Sequence, residues 1–117
     1  MVVNINNEKL ASFDDRLEQI KINFHSEMEH IYRETKKLKY NPAYFRRMVC
    51  DKGGYEATRQ LINTDKPSEG FTTLWELKRL DLSVEAHVIK REYSEIFTDY
   101  ERLICIERLK DYGHEFN

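Results

Sequence analysis

Residues 10–38 read LASFDDRLEQIKINFHSEMEHIYRETKKL and carry the pattern that decides the fold. Large apolar side chains recur at alternating spacings of three and four residues, and the pattern weakens only near Thr35. A period of about 3.5 residues, kept over about four heptads, predicts one long helix with a coiled-coil-like seam. The seam consists of Leu10, Phe13, Leu17, Ile20, Phe24, Met28, Ile31 and Leu38.

The flanking residues predict where this helix begins and ends. It should begin near Asn6 or Asn7, because an Asn side chain can cap a helix N-terminus. It should end at about Lys39, because Asn41-Pro42 must interrupt it. A helix of about 30 residues is on the order of 45 Å long, which exceeds one side of a small domain. The seam therefore pairs with a second subunit or is covered by its own chain, and the sequence leaves both open.

The remainder of the chain predicts short helices. Capping residues, helix-starting proline and helix-ending glycine recur at intervals that suit segments of two to four turns. These signals are Asn41-Pro42, Gly53-Gly54, Ser83, Thr98 with Glu101, and Gly113. We therefore predict an all-α protein. One long heptad-patterned helix (residues 1–39) would precede a compact bundle of four or five short helices (residues 40–117).

Composition limits the function classes. The chain is 40% hydrophobic and 34% charged, with only four Gly and two Pro, which suits a helical globular domain. Its net charge of -2 gives no overall attraction to nucleic acid or anionic membrane. No apolar run is long enough for a membrane span, and the N-terminus does not resemble a signal peptide. Cys50 and Cys105 are expected to be buried, reduced thiols, which indicates a cytoplasmic protein.

From about residue 41 to 113 the chain resembles an uncharacterised family of small helical bacterial domains. The most specific part is Arg79-Leu80-Asp81-Leu82-Ser83 with Glu85. The other matching positions are Asn41-Pro42, Phe45, Met48, Gly53-Gly54, Ala57, Leu61, Pro67, Gly70-Phe71, Leu74, Phe97-Thr98, Glu101 and Arg108-Leu109. The resemblance implies a helical domain of bacterial origin and no particular activity, and it leaves out the N-terminal heptad helix.

The segment around Asp81 is the strongest candidate for a polar cluster. Arg79 can reach Asp81 or Glu85 with a bidentate hydrogen bond, which would fix the corner between two helices. Trp75, the single Trp, is expected to anchor the core nearby. An enzyme would instead use Asp81 and Glu85 together with His87. The structural interpretation accounts for all the residues of the corner, so we predict a structural polar corner and no catalytic residues.

Residues 33–52 form a basic segment. They hold seven basic and two acidic side chains, a local net charge of +5. The basic residues are Arg33, Lys36, Lys37, Lys39, Arg46, Arg47 and Lys52. Because Tyr40, Tyr44 and Phe45 lie among them, phosphate contacts and base stacking could occur on one surface. Nucleic-acid binding is therefore the alternative function, and a solvated or internally paired face is the simpler interpretation.

The sequence favours an interaction module over an enzyme. His25 with Glu29 and His30 with Glu34 have helical spacing, but the two pairs point to different sides, so no metal site is predicted. Phosphate loops, nucleophile elbows and zinc-ligand spacings are not found, and no cofactor is predicted. The main hypothesis is a bacterial, non-enzymatic protein that forms a homodimer or binds another protein through the heptad seam.

Overall fold

Six α-helices and two 3₁₀ turns make up the described part of the chain. The computed structural model describes residues 5–116, and their side chains from Phe13 onward. Across those residues there is no β-strand, and the predicted plan of one long helix followed by several short ones is confirmed. The helices are α1 (Ile5–Lys36), α2 (Ala43–Lys52), α3 (Gly54–Ile62), α4 (Glu69–Glu76), α5 (Val84–Val88) and α6 (Asp99–Asp111), with 3₁₀ turns at Leu80–Leu82 and Arg91–Tyr93.

The C-terminal half of α1 is packed inside its own chain. Phe24 and Met28 are 0% exposed and Ile31 is 4% exposed. These three seam residues contact the short helices, so they are not available to a second subunit. The half-buried seam residues Leu17, Ile20 and Leu38 pack at the edge of the same core. Phe13 is 47% exposed, and Leu10 lies outside the described side chains.

Helix α3 approaches α1 closely because it begins with glycine. A Cβ atom on Gly54 would lie 2.8 Å from the Cα atom of His25, closer than real Cβ contacts allow. The Gly54 amide donates a hydrogen bond to His25 Nδ1 at 2.8 Å. Gly53, at φ +83, separates α2 from α3, as the sequence predicted for this glycine pair. The His25 side chain therefore joins α1 to α3.

The connection between α1 and α2 differs from its prediction. Helix α1 ends at Lys36, and a turn follows in which Lys39 adopts a φ of +63. Pro42 is the N-cap of α2, with no side-chain cap hydrogen bond, so Asn41 does not cap this helix. The reason is the backbone of Pro42, whose ψ of 63 lies outside the helical region. The Ala43 amide donates to the Asn41 carbonyl instead.

The predicted capping box of α6 is confirmed and does more than begin a helix. Thr98 Oγ1 accepts from the Glu101 amide, and Glu101 Oε1 accepts from the Thr98 amide. Glu101 Oε2 also accepts from Arg59 Nε at 2.9 Å and Asn63 Nδ2 at 2.8 Å. Burial raises the pKa of Glu101, but these donors outweigh burial, so its pKa lies below the ordinary value. The C-terminal end of α3 is thereby fixed to the N-terminal end of α6.

The polar corner contains two of its three predicted members. Arg79 Nε and Nη2 donate to the two carboxylate oxygens of Asp81, each at 3.0 Å. Glu85 is not part of this pair, because Ser83 caps α5 and the first turn directs Glu85 into the interior. The corner is therefore an exposed Arg79–Asp81 ion pair, and Glu85 belongs to a separate, buried environment.

We expect Asp81→Ala to lower the free energy of unfolding by less than about 1 kcal/mol, because exposed ion pairs contribute little. The two side chains are 42% and 56% exposed, so water screens their attraction. Urea unfolding of the wild type and the variant measures the difference. A loss of several kcal/mol would show that the corner is a major determinant of stability.

Two further sequence predictions are wrong. Trp75 is 45% exposed, because Phe71 and Leu74 occupy the buried face of the short helix α4. Its ring packs nearly perpendicular to that of Tyr112, at 5.3 Å between centroids. Cys50 is exposed on α2, whereas Cys105 is buried as predicted.

Among the described residues, no helix is long and apolar enough to cross a membrane.

Candidate ligand-binding cavity

A cavity of about 430 Å³ lies where the end of α1 meets α2, α4 and α5. Ile31 and Thr35 of α1 form one side, and the chain from Tyr40 to Phe45 forms another. The wall is completed by residues 68–71 and Leu74 at α4, by residues 82–85 at the start of α5, and by Leu61 of α3. The cavity exists because the connection at residues 37–42 holds α2 to one side of α1 instead of continuing it.

The wall is mainly apolar and rich in aromatic rings. Tyr40, Tyr44, Phe45 and Phe71 all line the cavity. Phe71 is buried, whereas Tyr44 is largely exposed. Burial raises the pKa of the Tyr40 phenol, and the nearby Thr73 opposes that rise. A small apolar molecule in the cavity would therefore contact several aromatic rings at once.

Two serine hydroxyls in the wall are committed to helix capping. Ser68 Oγ accepts from the Phe71 amide at 3.1 Å and begins α4. Ser83 Oγ accepts from the Ala86 amide at 3.1 Å and donates to the Leu80 carbonyl at 2.7 Å. These bonds hold both oxygens in fixed positions. Their role is to place the first turns of α4 and α5 around the cavity.

Glu85 is the charged group of the interior wall. It is 1% exposed, and Arg108 of α6 approaches it with 3.5 Å between Nη1 and Oε2. Burial raises the pKa of the Glu85 carboxyl above its ordinary value, and Arg108 opposes that rise. Arg108 also donates to the backbone carbonyls of Leu61 and Thr64. The guanidinium is thus shared among three acceptors, and it compensates the buried carboxyl only in part.

Thr35 supplies an unsatisfied hydroxyl. It lines the cavity at 2% exposure, and its Oγ1 atom has no hydrogen-bond partner within the described part of the chain. Burying a hydroxyl without a partner costs about 1–3 kcal/mol. The sequence gives one indication that Thr35 is unusual, because it is a polar residue at a position where the seam is otherwise apolar.

We expect Thr35→Val to raise the free energy of unfolding by about 1 kcal/mol, because it removes the unsatisfied hydroxyl and keeps the shape of the side chain. Chemical denaturation without added ligand measures this change. Thr58→Val is a suitable comparison, because Thr58 is equally buried but its hydroxyl contacts Met28 Sδ at 3.5 Å. A destabilised Thr35→Val variant would show that the hydroxyl already has a partner.

The basic segment forms an exposed surface beside the cavity, and several of its charges have local partners. Arg46 and Lys36 lie over the ring of Tyr32, at 4.9 and 5.5 Å from its centroid. Lys37 pairs with Glu34 at 3.1 Å, and Lys52 contacts Gln60. The side chains of Arg33, Lys39 and Arg47 are also exposed. Nucleic-acid binding by this surface stays a prediction.

The residues of the enzyme hypothesis have separate partners. Asp81 pairs with Arg79, Glu85 faces Arg108, and His87 contacts Glu27, with 3.8 Å between Nε2 and Oε2. His87 Nδ1 lies 2.9 Å from the Ser83 carbonyl oxygen, and burial lowers the pKa of its ring. Of the three, only Glu85 lines the cavity. The three side chains therefore have different partners, and Asp81 and His87 do not line the cavity.

The histidine–glutamate pairs lie along α1, at 3.6 Å for His25–Glu29 and 4.0 Å for His30–Glu34. Within the described residues, no group of three or more His, Cys, Asp or Glu side chains could hold a metal ion.

Comparison of the chain with protein-family models, curated protein sequences and solved structures finds no match. The resemblance over residues 41–113 stays a prediction, and the cavity is the best-defined candidate site.

Proposed function

We propose that the protein is a non-enzymatic binding module that holds a small, mainly apolar molecule in the cavity. The observation that carries this proposal is a cavity of about 430 Å³ with a mainly apolar wall, and one of its lining residues is Thr35, whose buried hydroxyl is unpartnered among the described residues. Sites for small molecules usually have volumes of about 300–1,000 Å³ and apolar walls with a few placed polar groups. Thr35 and Glu85 are such groups. The capping roles of Ser68 and Ser83 support binding over nucleophilic chemistry.

Binding of the neutral dye N-phenyl-1-naphthylamine tests this proposal. We expect a saturable rise of dye fluorescence with the wild-type chain. Ala43→Trp should abolish the rise, because Ala43 lines the cavity but is itself exposed, so a large side chain there is compatible with folding. Arg47→Trp is the matched control, since it adds the same ring to the exposed surface of α2. Equal dye binding by the two variants would contradict the proposal.

Self-association through α1 is the second candidate function. The molecule measures 62 × 26 × 26 Å, so the N-terminal part of α1 extends beyond the bundle. Phe13 is exposed there, and Leu17 and Ile20 are only half-buried. The heptad spacing continues through these residues and fits a second copy of the chain packed along them.

We expect Phe13→Glu to convert a dimer into a monomer, measured as molecular mass by light scattering. Ile22→Glu is the control, because Ile22 is exposed on the same helix but lies off the seam. A monomeric wild-type chain, or equal effects of the two variants, would contradict self-association through the seam. Removal of residues 1–38 is unsuitable as a test, because it would also remove Phe24 and Met28 from the core.

A further inference from the structure

The charged side chains that line the cavity have one sign, although a basic segment lies beside it and Arg108 lies behind Glu85. Two charged side chains line the cavity among the described residues, Glu85 in the interior and the exposed Glu69. Residues 40–45 also contribute to the wall, but neither Arg46 nor Lys39 does. An anionic ligand would therefore enter a site walled by carboxylates. A cationic group would be attracted there.

Glu85 has capacity for a further donor. Its single described ion-pair partner, Arg108, lies at 3.5 Å, beyond the usual length of a charge-assisted hydrogen bond. Arg108 also donates to two backbone carbonyls. A carboxylate accepts about four hydrogen bonds, and a hydroxyl accepts about two. An ammonium group donates about three, so it could be shared between Glu85 and another acceptor such as Thr35, which lines the same cavity.

The aromatic wall favours a cation as well. Four aromatic residues line the cavity, namely Tyr40, Tyr44, Phe45 and Phe71. Aromatic faces attract ammonium groups, and the attraction increases where water is excluded. The same rings would cover the apolar body of a ligand. Carboxylates and aromatic rings together are therefore complementary to an amine that carries a hydrophobic group.

We propose that the cavity binds a primary amine with an apolar body, and that its ammonium group is recognised by Glu85 with Thr35 as a further acceptor. This inference rests on the proposed function, because it names the ligand class of the same cavity. The apolar body would lie against the aromatic wall. The carboxylate would distinguish the amine from neutral and anionic molecules of the same size.

Displacement of N-phenyl-1-naphthylamine by three molecules of matched size tests this inference. The series is 2-phenylethylamine, 2-phenylethanol and 3-phenylpropanoate, measured on the full chain. We expect the amine to displace the dye at a concentration at least about tenfold lower than the alcohol, because hydrogen bonds to charged groups are the stronger ones. The carboxylate should be the weakest. Glu85→Gln should remove the preference for the amine over the alcohol.

The outcomes separate this inference from the proposed function. If the dye does not bind in the cavity, the proposed function fails. If the dye binds but the alcohol or the carboxylate displaces it as well as the amine does, the ligand class is wrong and the cavity remains a binding site. Should Glu85→Gln fold poorly by circular dichroism, Thr35→Val provides the second variant. It should weaken displacement by the amine, and an unchanged displacement curve would remove Thr35 from the site.

Discussion

Replacement of Phe24 by alanine is expected to lower the free energy of unfolding by about 3–5 kcal/mol, the usual cost for a fully buried Phe. Phe24 is 0% exposed. Its ring contacts Tyr93 and Phe97 in edge-to-face geometry, at centroid distances of 4.9 and 5.1 Å. The substitution would leave a void between α1 and the segment that precedes α6. A small domain has a total stability of about 5–15 kcal/mol, so the loss is a large fraction of it.

The control for this prediction is Phe13→Ala, which removes the same side chain from the same helix and the same heptad seam. Phe13 is 47% exposed within its own chain, so the change should cost less than about 1 kcal/mol at protein concentrations where the chain is monomeric. Urea unfolding, followed by the far-ultraviolet signal of the helices, measures the two variants side by side. Similar losses for Phe13→Ala and Phe24→Ala would mean that the seam is covered uniformly, as a continuous intersubunit coiled coil would cover it.

The contrast between these two phenylalanines shows what the heptad pattern predicts. The spacing identified the apolar face of α1 correctly, and Phe24, Met28 and Ile31 are buried. It did not identify what covers that face, because a 3.5-residue period has the same appearance whether the partner is a second chain or the same chain. That choice depends on contacts distant in sequence, such as the approach of Gly54 to His25.

Local signals predicted the starts of α5 and α6 correctly, although they misplaced the end of α1 and the cap of α2. Ser83 caps α5, and Thr98 with Glu101 forms the capping box of α6, because capping needs only residues a few positions apart. The cavity required tertiary information. Nothing in the local sequence places Arg108 against Glu85, and nothing there shows that Thr35 lacks a partner among the described residues. Trp75 was placed in the core on residue type alone, whereas the short α4 buries Phe71 and Leu74 instead.

Substitution of Arg108 by methionine is the second large effect that we expect, with a loss of about 3–5 kcal/mol in the free energy of unfolding. Arg108 is 7% exposed, and its ion-pair partner Glu85 is 1% exposed. Removal of the guanidinium leaves a buried carboxyl without its counter-charge. It also leaves the Leu61 and Thr64 carbonyls without this donor. Methionine fills a similar volume, so the loss reports mainly on charge and hydrogen bonds.

The loss should depend on pH, because Glu85 titrates differently in the folded and unfolded states. Burial raises its folded pKa, so the folded state favours the protonated carboxyl more strongly than the unfolded state does. The stability that comes from the protonated Glu85 carboxyl is fully present below the unfolded pKa, and it is lost as pH rises through the folded pKa. Arg108 opposes the rise, so its removal raises the folded pKa further. The difference between wild type and Arg108→Met should therefore increase from acidic to neutral pH.

The double variant Glu85→Gln with Arg108→Met identifies the group responsible for this pH dependence. The glutamine side chain carries no titratable carboxyl, so the pH-dependent part of the loss should disappear. The part caused by the unpaired Leu61 and Thr64 carbonyls should remain at every pH. The four chains of this cycle, unfolded in urea at several pH values, give the coupling energy between the two side chains directly. A pH-independent loss for Arg108→Met would show that Glu85 remains protonated throughout, and an ammonium ligand would then lack its charged partner in the cavity.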